Sequence, residues 1–365
     1  MQQTGVLAQV TTERGTPDLT VGLDISDSFT QLCLIDVAGA VVEEGRVRTT
    51  NAALRRRFAA LAPARMALEA GPHSPWVSRL LAELGHEVIV ANARQVRLIG
   101  HSYRKGDRSD AEQLARLARL DARLLAPIRH RGLQAHEDLA LVRSRDALVR
   151  ARTQLINHVR GAVKAWGAIL PRTTAHAFHR KVDEHIPAPL RPALSPLLEV
   201  VGELTRRIAA ADRAVEELCG TRYPETGALR QVVGVGSLTA LTYVLTIEDP
   251  GRFAASRDVG PYLGLVPRRR DSGNRTSQLG ISKAGDPHLR RLLVACAHYI
   301  LGPFGPDSDL CRWGQRYATS GATNARKRAV VAVARKLAVL LHALWVGGEI
   351  YEPLRHAATE EARSA

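Results

Sequence analysis

Cysteine is scarce and without paired spacing. Cys33, Cys219, Cys296 and Cys311 are scattered singly, which argues against both a zinc cluster and a disulfide framework and fits a reducing cytoplasm. The first eighteen residues lack the apolar core of a secretion signal and contain Glu13, Arg14 and Asp18. Residues 1–18 are therefore expected to be a disordered tail, and 353–365 a second one. A clean hydrophobic run of membrane-spanning length is missing too, because the most apolar late stretch, Ala329 to Val346, is broken by Arg335, Lys336 and His342. No membrane is expected as a partner. Acid is in deficit: 36 Asp and Glu face 51 Lys and Arg, leaving a net charge of +15. Most of that positive charge is arginine, whose planar fork suits phosphate, so an anionic polymer is the expected partner rather than plain solvent.

With 365 residues the chain is long enough for two or three modules of roughly 100–200 residues each. From Leu19 to Val47 three β-prone runs, LTVGLDI, FTQLCLID and AVVEEGRV, are separated by turn-like DSD and AGA segments and predict an antiparallel meander. A helix near Ala52–Leu61, a strand RMALEA, a helix around Trp76–Leu84 and a strand EVIVAN follow. That order predicts an α/β, RNase H-like domain over 19–130. Residues 131–220 carry two heptad stripes. Val142, Val149, Ile156 and Val163 form one, and Leu194, Leu197, Val201, Leu204, Ile208, Ala211, Val215 and Leu218 form a sharper one, together predicting a coiled-coil helical hairpin. Such helices pair within one chain or across a dimer. Gly220 to Gly227 reads as a linker into a mainly α module over 228–352. Gly234 and Gly236 open that module just before an apolar helical run, as in a helix–hairpin–helix element whose backbone N–H groups hold phosphate. Arg268, Arg269, Arg270, Arg275, Lys283, Arg290 and Arg291 follow closely and strengthen the nucleic-acid reading, although an arginine run also suits a solvated face.

Asp24 closes the first predicted strand and Glu69 the fourth, adjacent strand ends in an RNase H-like sheet. Asp107 and Asp110, three apart at the start of a helix, share one face. Taken singly each has a plainer role, as a strand end, an arginine partner or a helix cap. Taken together they predict a cluster of hard oxygen ligands suited to Mg²⁺ or Mn²⁺, with two ions serving in-line displacement at phosphorus. Asp27, Asp36 and Glu112 are second choices.

The motifs VGLDIS, ALEAGPHSPWVSRLL, VIVANARQVR and KGDRSDAEQLARL at the front, and VVGVGSLTALTYVLTI and FAASRDVGPYLGLVPRRRDSGNRTSQLGISKAGDPHLRRLL at the back, resemble the DEDD transposases and DNA invertases of the insertion-sequence "one-ten" group. The resemblance covers nearly the whole chain. It implies a RuvC-like first domain whose carboxylates fall on Asp24, Glu69, Asp107 and Asp110. It also implies a C-terminal transposase domain whose Ser-Gly pair falls on Ser272 and Gly273, with Ser272 as nucleophile forming a covalent phosphoserine–DNA link. Asp271 stands where a small polar residue was expected, and Ser277 and Ser282 lie close by. The same resemblance implies donor and target DNA as substrates and a bridge RNA as guide. It further implies a homo-oligomer, from dimer to tetramer, in which carboxylates of one subunit meet the serine of another in the bacterial cytoplasm at the nucleoid. Two rival readings are a RuvC-like, Mg²⁺-dependent structure-selective nuclease that uses water, for which Ser272 is idle, and a non-catalytic architectural protein, indifferent to loss of Asp24 or Glu69.

Overall fold

The computed structural model describes residues 17–93, 107–272, 275–319, 321 and 323–355, with backbone only for 107–108, 269–272 and 275–278. Two compact units divide the chain, Met1–Gly132 and Leu133–Ala365.

Alternation along TVGLDI sends Val21 and Leu23 to one face of a strand and Gly22 and Asp24 to the other. This strand, β1 (Thr20–Ile25), pairs antiparallel with β2 (Phe29–Ile35), which pairs antiparallel with β3 (Val41–Arg48), giving the expected meander. Helix α1 (Asn51–Ala59) begins where the Thr50 hydroxyl accepts from Ala53 N at 3.3 Å, a cap that contributes about 1 kcal/mol. It leads to β4 (Arg65–Glu69), α2 (Ser74–Glu83) and β5 (Glu87–Ala91). Strands β4 and β5 are parallel to each other and β4 is parallel to β1, so the sheet order is β3-β2-β1-β4-β5. One face carries Val21, Leu23, Leu32, Leu34, Met66 and Leu68 against Leu54 and Phe58 of α1 and Val77, Leu80 and Leu81 of α2. Each such side chain stabilises the sheet–helix layer by roughly 1.5–3 kcal/mol when fully buried.

The other face is covered by α3 (Asp107–Leu120), whose Ala111 and Ala115 meet Cys33 and Ile35 while Leu114 and Ala118 meet Ala67, Ile89 and Ala91. Small residues on both surfaces let backbone approach backbone. A Cβ on Gly22 would lie 1.8 Å from the Ala111 carbonyl oxygen and 2.6 Å from the Ala115 nitrogen, so only glycine fits there.

The second unit begins with the helical hairpin of α4 (Leu133–Ala165) and α5 (Arg191–Thr221), joined through the short helical turn Phe178–Lys181. Arg145 pairs with Asp212 and Arg152 donates to Thr205, so the two helices run antiparallel within one chain. The buried seam of α5 differs from the predicted one. Leu194, Val201, Ile208 and Val215 are buried as expected, but Leu198, Thr205 and Cys219 are buried more deeply than Leu197, Leu204 and Leu218, of which Leu197 and Leu218 still pack against the seam. The cause is a third layer at each end. Phe178, Val182 and Ile186 cover Leu198 at the tip, and Leu241 and Leu245 cover Cys219 at the base, so the apolar face extends beyond a two-helix seam.

After the hairpin come α6 (Thr226–Arg230), α7 (Ser237–Ile247), α8 (Pro287–Leu301), α9 (Asp309–Ala318) and α10 (Ala325–Gly347). By length and composition α10 is apolar enough to cross a membrane. Here its Val333, Leu337 and Leu341 lie in a core shared with α7 and α8, and the buried Tyr243 hydroxyl donates to the Ala338 carbonyl at 2.7 Å. A strand pair, β6 (Pro267–Ser272) with β7 (Arg275–Ile281), interrupts this mainly helical region where the sequence reading had no strands. The Gly273-Asn274 step is a two-residue hairpin signal that could have found it.

Asp138 on α4 is buried and accepts from Arg222 at 2.7 and 2.8 Å, from the Tyr223 hydroxyl at 2.6 Å and from Gln134 at 3.3 Å, tying the base of the hairpin together. Burial pushes its carboxyl up, but the hydrogen bonds from Tyr223, Arg222 and Gln134 outweigh burial and hold it below its usual range. A carboxyl depressed on folding stabilises above its unfolded value, near pH 4, and that contribution fades as pH falls through the folded value. Asp138→Asn should therefore lower stability by about 1–3 kcal/mol at neutral pH, and the gap to wild type should narrow below about pH 4 in denaturant titrations. A gap that is constant from pH 7 to pH 3 would contradict the charged-acceptor role.

Candidate active site

In the first unit, Leu23 pairs with Leu68 across parallel β1 and β4, and Asp24 and Glu69 are the next residues on each strand. Both carboxylates thus stand at the same step at the C-terminal strand ends. Asp24 shares its face with Gly22, and Glu69 shares its face with Ala67, the face that α3 covers. Both are half-buried.

The direction of α3 follows from its other end. Arg119 donates to the Pro17 carbonyl at 2.7 Å, just before β1 starts, and Arg65 at the start of β4 donates to the Ala118 carbonyl at 3.2 Å. The helix C-terminus therefore lies at the strand beginnings, and its N-terminus, with Asp107 and the exposed Asp110, lies towards the strand ends of Asp24 and Glu69. All four predicted acids come to one end of the sheet. The positive end of the α3 dipole lies there as well, which favours negative charge nearby. Among the described residues no group of three or more His, Cys, Asp and Glu side chains is gathered closely enough to hold a metal ion, and the Asp107 side chain is outside the described part.

Polar groups that the sequence reading passed over stand at the neighbouring turns. The Trp76 indole N–H can only donate, and it does so to His73 Nδ1 at 3.1 Å. In the neutral ring the proton then resides on Nε2, which donates to Asp27 at 2.9 Å. Ser74, buried, donates to the Gly71 carbonyl at 2.8 Å and so accepts from His130 Nε2 at 2.9 Å. The GPHSPW run held the signal, a polar turn directly after a strand-ending acid. The second-choice acids have local partners. Asp36 accepts from Ala40 N at 2.9 Å in the β2–β3 turn, Glu112 pairs with Arg116 one helical turn on at 2.7 Å, and Asp27 holds His73.

In the second unit, Ser272 is the last residue of β6 and is in register with Arg275 across the hairpin connection. The side chains of Ser272, Ser277, Arg269, Arg270 and Arg275, and all of Gly273, lie outside the described part. Arg268 is exposed. Ser282 accepts from Ala284 N at 3.4 Å, and Lys283 adopts a left-handed φ of 55°. Gly234 has a φ of 93°, and a Cβ there would sit 2.9 Å from the Tyr299 ring, while exposed Gly236 caps the start of α7. Ser237, the first residue of α7, donates to Glu216, so an acid already stands at that helix start.

Arg290 and Arg291 are engaged inside the unit. Arg290 donates to the carbonyls of Leu263 at 3.0 Å and Ala284 at 2.6 Å, clasping the two turns at the base of the β6–β7 hairpin. Arg291 pairs with Asp146 of α4 at 2.5 Å, and His288 Nδ1 lies 3.4 Å from the same carboxylate. Burial pushes the Asp146 carboxyl up, but Arg291, His288 and Arg150 together hold it below its usual range. The Arg290 contacts fix the hairpin base, whereas Arg291 ties α8 to α4 through Asp146 with its side chain still 54% exposed.

Comparison with known proteins bears on both units. A family model for the DEDD transposase of IS110, described as Transposase, matches residues 21–166, which include Asp24, Glu69, Asp107 and Asp110. A second, described as Transposase IS116/IS110/IS902 family, matches residues 227–307, which include Ser272. The chain is 31% identical over 340 residues to the transposase for insertion sequence element IS1111A of Coxiella burnetii, covering 91% of this chain and 90% of that protein. It is 30% identical over 315 residues to the transposase for insertion sequence element IS1328 of Yersinia enterocolitica, covering 82% and 92%. Over 119 residues it is 28% identical to the pilin gene-inverting protein of Moraxella lacunata, covering 32% and 35%.

Proposed function

The chain belongs to the IS110/IS116/IS902 family of transposases, and from that premise we propose that it cuts and rejoins DNA through a carboxylate centre and a serine nucleophile. The observation that carries this reading is that Asp24 and Glu69, at one step of neighbouring parallel strands, share an end of the sheet with the Asp107–Asp110 end of α3. The sheet order β3-β2-β1-β4-β5, three strands antiparallel and two parallel, supports an RNase H-like, RuvC-like domain over 19–130. A coiled-coil hairpin over 131–220 and a serine transposase domain over 228–352 complete the proposed organisation.

The donor set consists of hard carboxylate oxygens, which fits Mg²⁺ or Mn²⁺ and not a thiolate-seeking ion. Asp24, Glu69, Asp107 and Asp110 would hold two such ions, which when bound offset charge on the phosphate and the departing oxygen. The Ser272 hydroxyl oxygen attacks the phosphorus of one phosphodiester and forms an Oγ–P bond as the P–O3′ bond breaks. The serine proton is released and the 3′ oxygen leaves as a hydroxyl, so one ester replaces another and the bond energy is kept for rejoining. Reversal with a different 3′ hydroxyl joins new ends. Donor and target DNA are the substrates, a bridge RNA supplies sequence choice, and a homo-oligomer, from dimer to tetramer, acts in the bacterial cytoplasm at the nucleoid.

Asp24→Asn and Glu69→Gln should each slow strand cleavage by at least about 10²-fold, the scale for removing one group that stabilises developing charge, while leaving the melting temperature near that of wild type. Cleavage of element-end DNA by purified protein with its co-purifying RNA and Mg²⁺ measures this. Unaltered cleavage in both variants would remove the carboxylate centre from the reaction.

A further inference from the structure

Beyond residue 307, where the second family match ends, the chain runs from Leu310 to Gly348 without a single Asp or Glu while carrying seven Lys and Arg residues. This stretch contains α10 and all but the first residue of α9. The two helices pack closely, and a Cβ on Gly314 of α9 would lie 2.5 Å from Val333 of α10. Arg316, Arg326, Lys327 and Arg328 are all exposed, and among the described residues none of them is ion-paired. Arg326, Lys327 and Arg328 occupy the first turn of α10, where the helix dipole is positive and cations are unfavourable unless an anion joins them. Arg328 and Lys336, eight residues apart, are about 12 Å apart along the axis of α10 and about 80° apart around it.

Aromatic surface lies among these charges. Trp313 and Tyr317 of α9 are stacked, with centroids 5.8 Å apart and rings 21° from parallel. Trp313 packs on the core and has the Lys336 ammonium 4.1 Å over its ring, while Tyr317 stays 38% exposed. Partial burial, and after it the Arg316 guanidinium, hold the Lys336 ammonium below its usual range. Unpaired cations interleaved with an aromatic ring that has one stacked and one exposed side are the two parts of a surface that tracks a phosphate backbone and stacks a base.

We propose that the end of this helix pair where the last turn of α9, with Arg316 and Tyr317, adjoins the first turn of α10, with Arg326, Lys327 and Arg328, binds a nucleic-acid strand, with cations on the phosphates and a base stacked on Tyr317. This surface includes none of the four carboxylates and not Ser272, and its test reads binding rather than cleavage, so the two assignments stand or fall apart.

The full-length protein is titrated against labelled single-stranded DNA, the same sequence as RNA, and duplex DNA over a range of salt. Four forms are compared: wild type, the triple variant R326A/K327A/R328A, Tyr317→Ala, and a control triple variant R172A/R180A/K181A that removes equal charge elsewhere. The first triple variant should bind at least about tenfold more weakly near 0.1 M salt, with a log–log salt slope shallower by about 2, given about 0.7 per phosphate contact on a single strand. Tyr317→Ala should weaken single strands by about 5- to 100-fold and the duplex less, with Tyr317→Phe restoring binding. A loss confined to the RNA or the DNA probe supports the surface and identifies which strand occupies it. Without nucleic acid, the first triple variant should melt no lower than wild type, because cations leave a helix N-terminus. Binding within twofold of wild type on all three probes, equal weakening by the control variant, or a melting temperature several degrees lower would overturn the proposal.

Discussion

Ser272→Ala should leave no denaturation-resistant protein–DNA adduct and should slow strand cleavage by roughly 10⁴- to 10⁶-fold, the scale on which losing an attacking oxygen acts. The hairpin is not expected to suffer, because Ser272 pairs with Arg275 through backbone groups that alanine retains. Ser277→Ala and Ser282→Ala serve as internal comparisons. Ser277 stands in register with Arg270 further down the hairpin, and Ser282 is occupied by the turn at Ala284, so both variants should still form adduct. Adduct lost in Ser277→Ala but kept in Ser272→Ala would move the nucleophile along the strand. Cleavage at the wild-type rate by Ser272→Ala, with no adduct from either protein, would establish water as the nucleophile and favour the nuclease reading.

Gly22→Val should be nearly as damaging, although residue 22 carries no chemistry. Even one added carbon would lie 1.8 Å from the Ala111 carbonyl, so α3 must lift from the sheet. Overpacking of this kind costs about 3 kcal/mol or more, and the lift separates Asp110 from the strand ends of Asp24 and Glu69. A displacement of about 1 Å at a reacting centre costs on the order of 10²-fold in rate. Gly22→Val is therefore expected to lose both denaturant stability and cleavage. Stabilising the variant with an osmolyte should restore the fold without restoring the rate. Wild-type stability in Gly22→Val would mean that α3 does not rest on β1.

The contrast between Gly22 and its neighbours shows what the sequence reveals. Alternation in TVGLDI and RMALE made the strands legible because period-two burial is written into each run, and strand-ending acids were legible with them. That Gly22 is the contact point for Ala111 was not, since close backbone approach depends on a helix about ninety residues later. The heptad stripe in α5 was legible in spacing but not in phase. At three of its four partner positions the deepest burial falls one residue later, and at Leu198 and Cys219 this is because Phe178 and Leu241, remote in sequence, widen the buried face. Arg290 and Arg291 looked like the rest of the basic run, yet carbonyls at Leu263 and Ala284 and the carboxylate of Asp146 occupy them, and no local pattern distinguishes a clasping arginine from a phosphate contact. The β6–β7 hairpin was missed because PRRRDS has little intrinsic strand preference, and the base that Arg290 fastens joins carbonyls distant in sequence.

The hairpin of α4 and α5 has a mechanical consequence. Its helices contain 33 and 31 residues and so reach about 45–50 Å, gripped at the base by the Asp138 cluster and again at Asp146 by Arg291, about 20 Å along α4. Beyond that tie the arm is a lever of about 28 Å, and a rotation of about 5° there would carry the far end through about 2.5 Å. Trp166 and Ile169 are exposed at that far end, 57% and 87%, so the greatest travel falls on the part of the arm with apolar surface to offer.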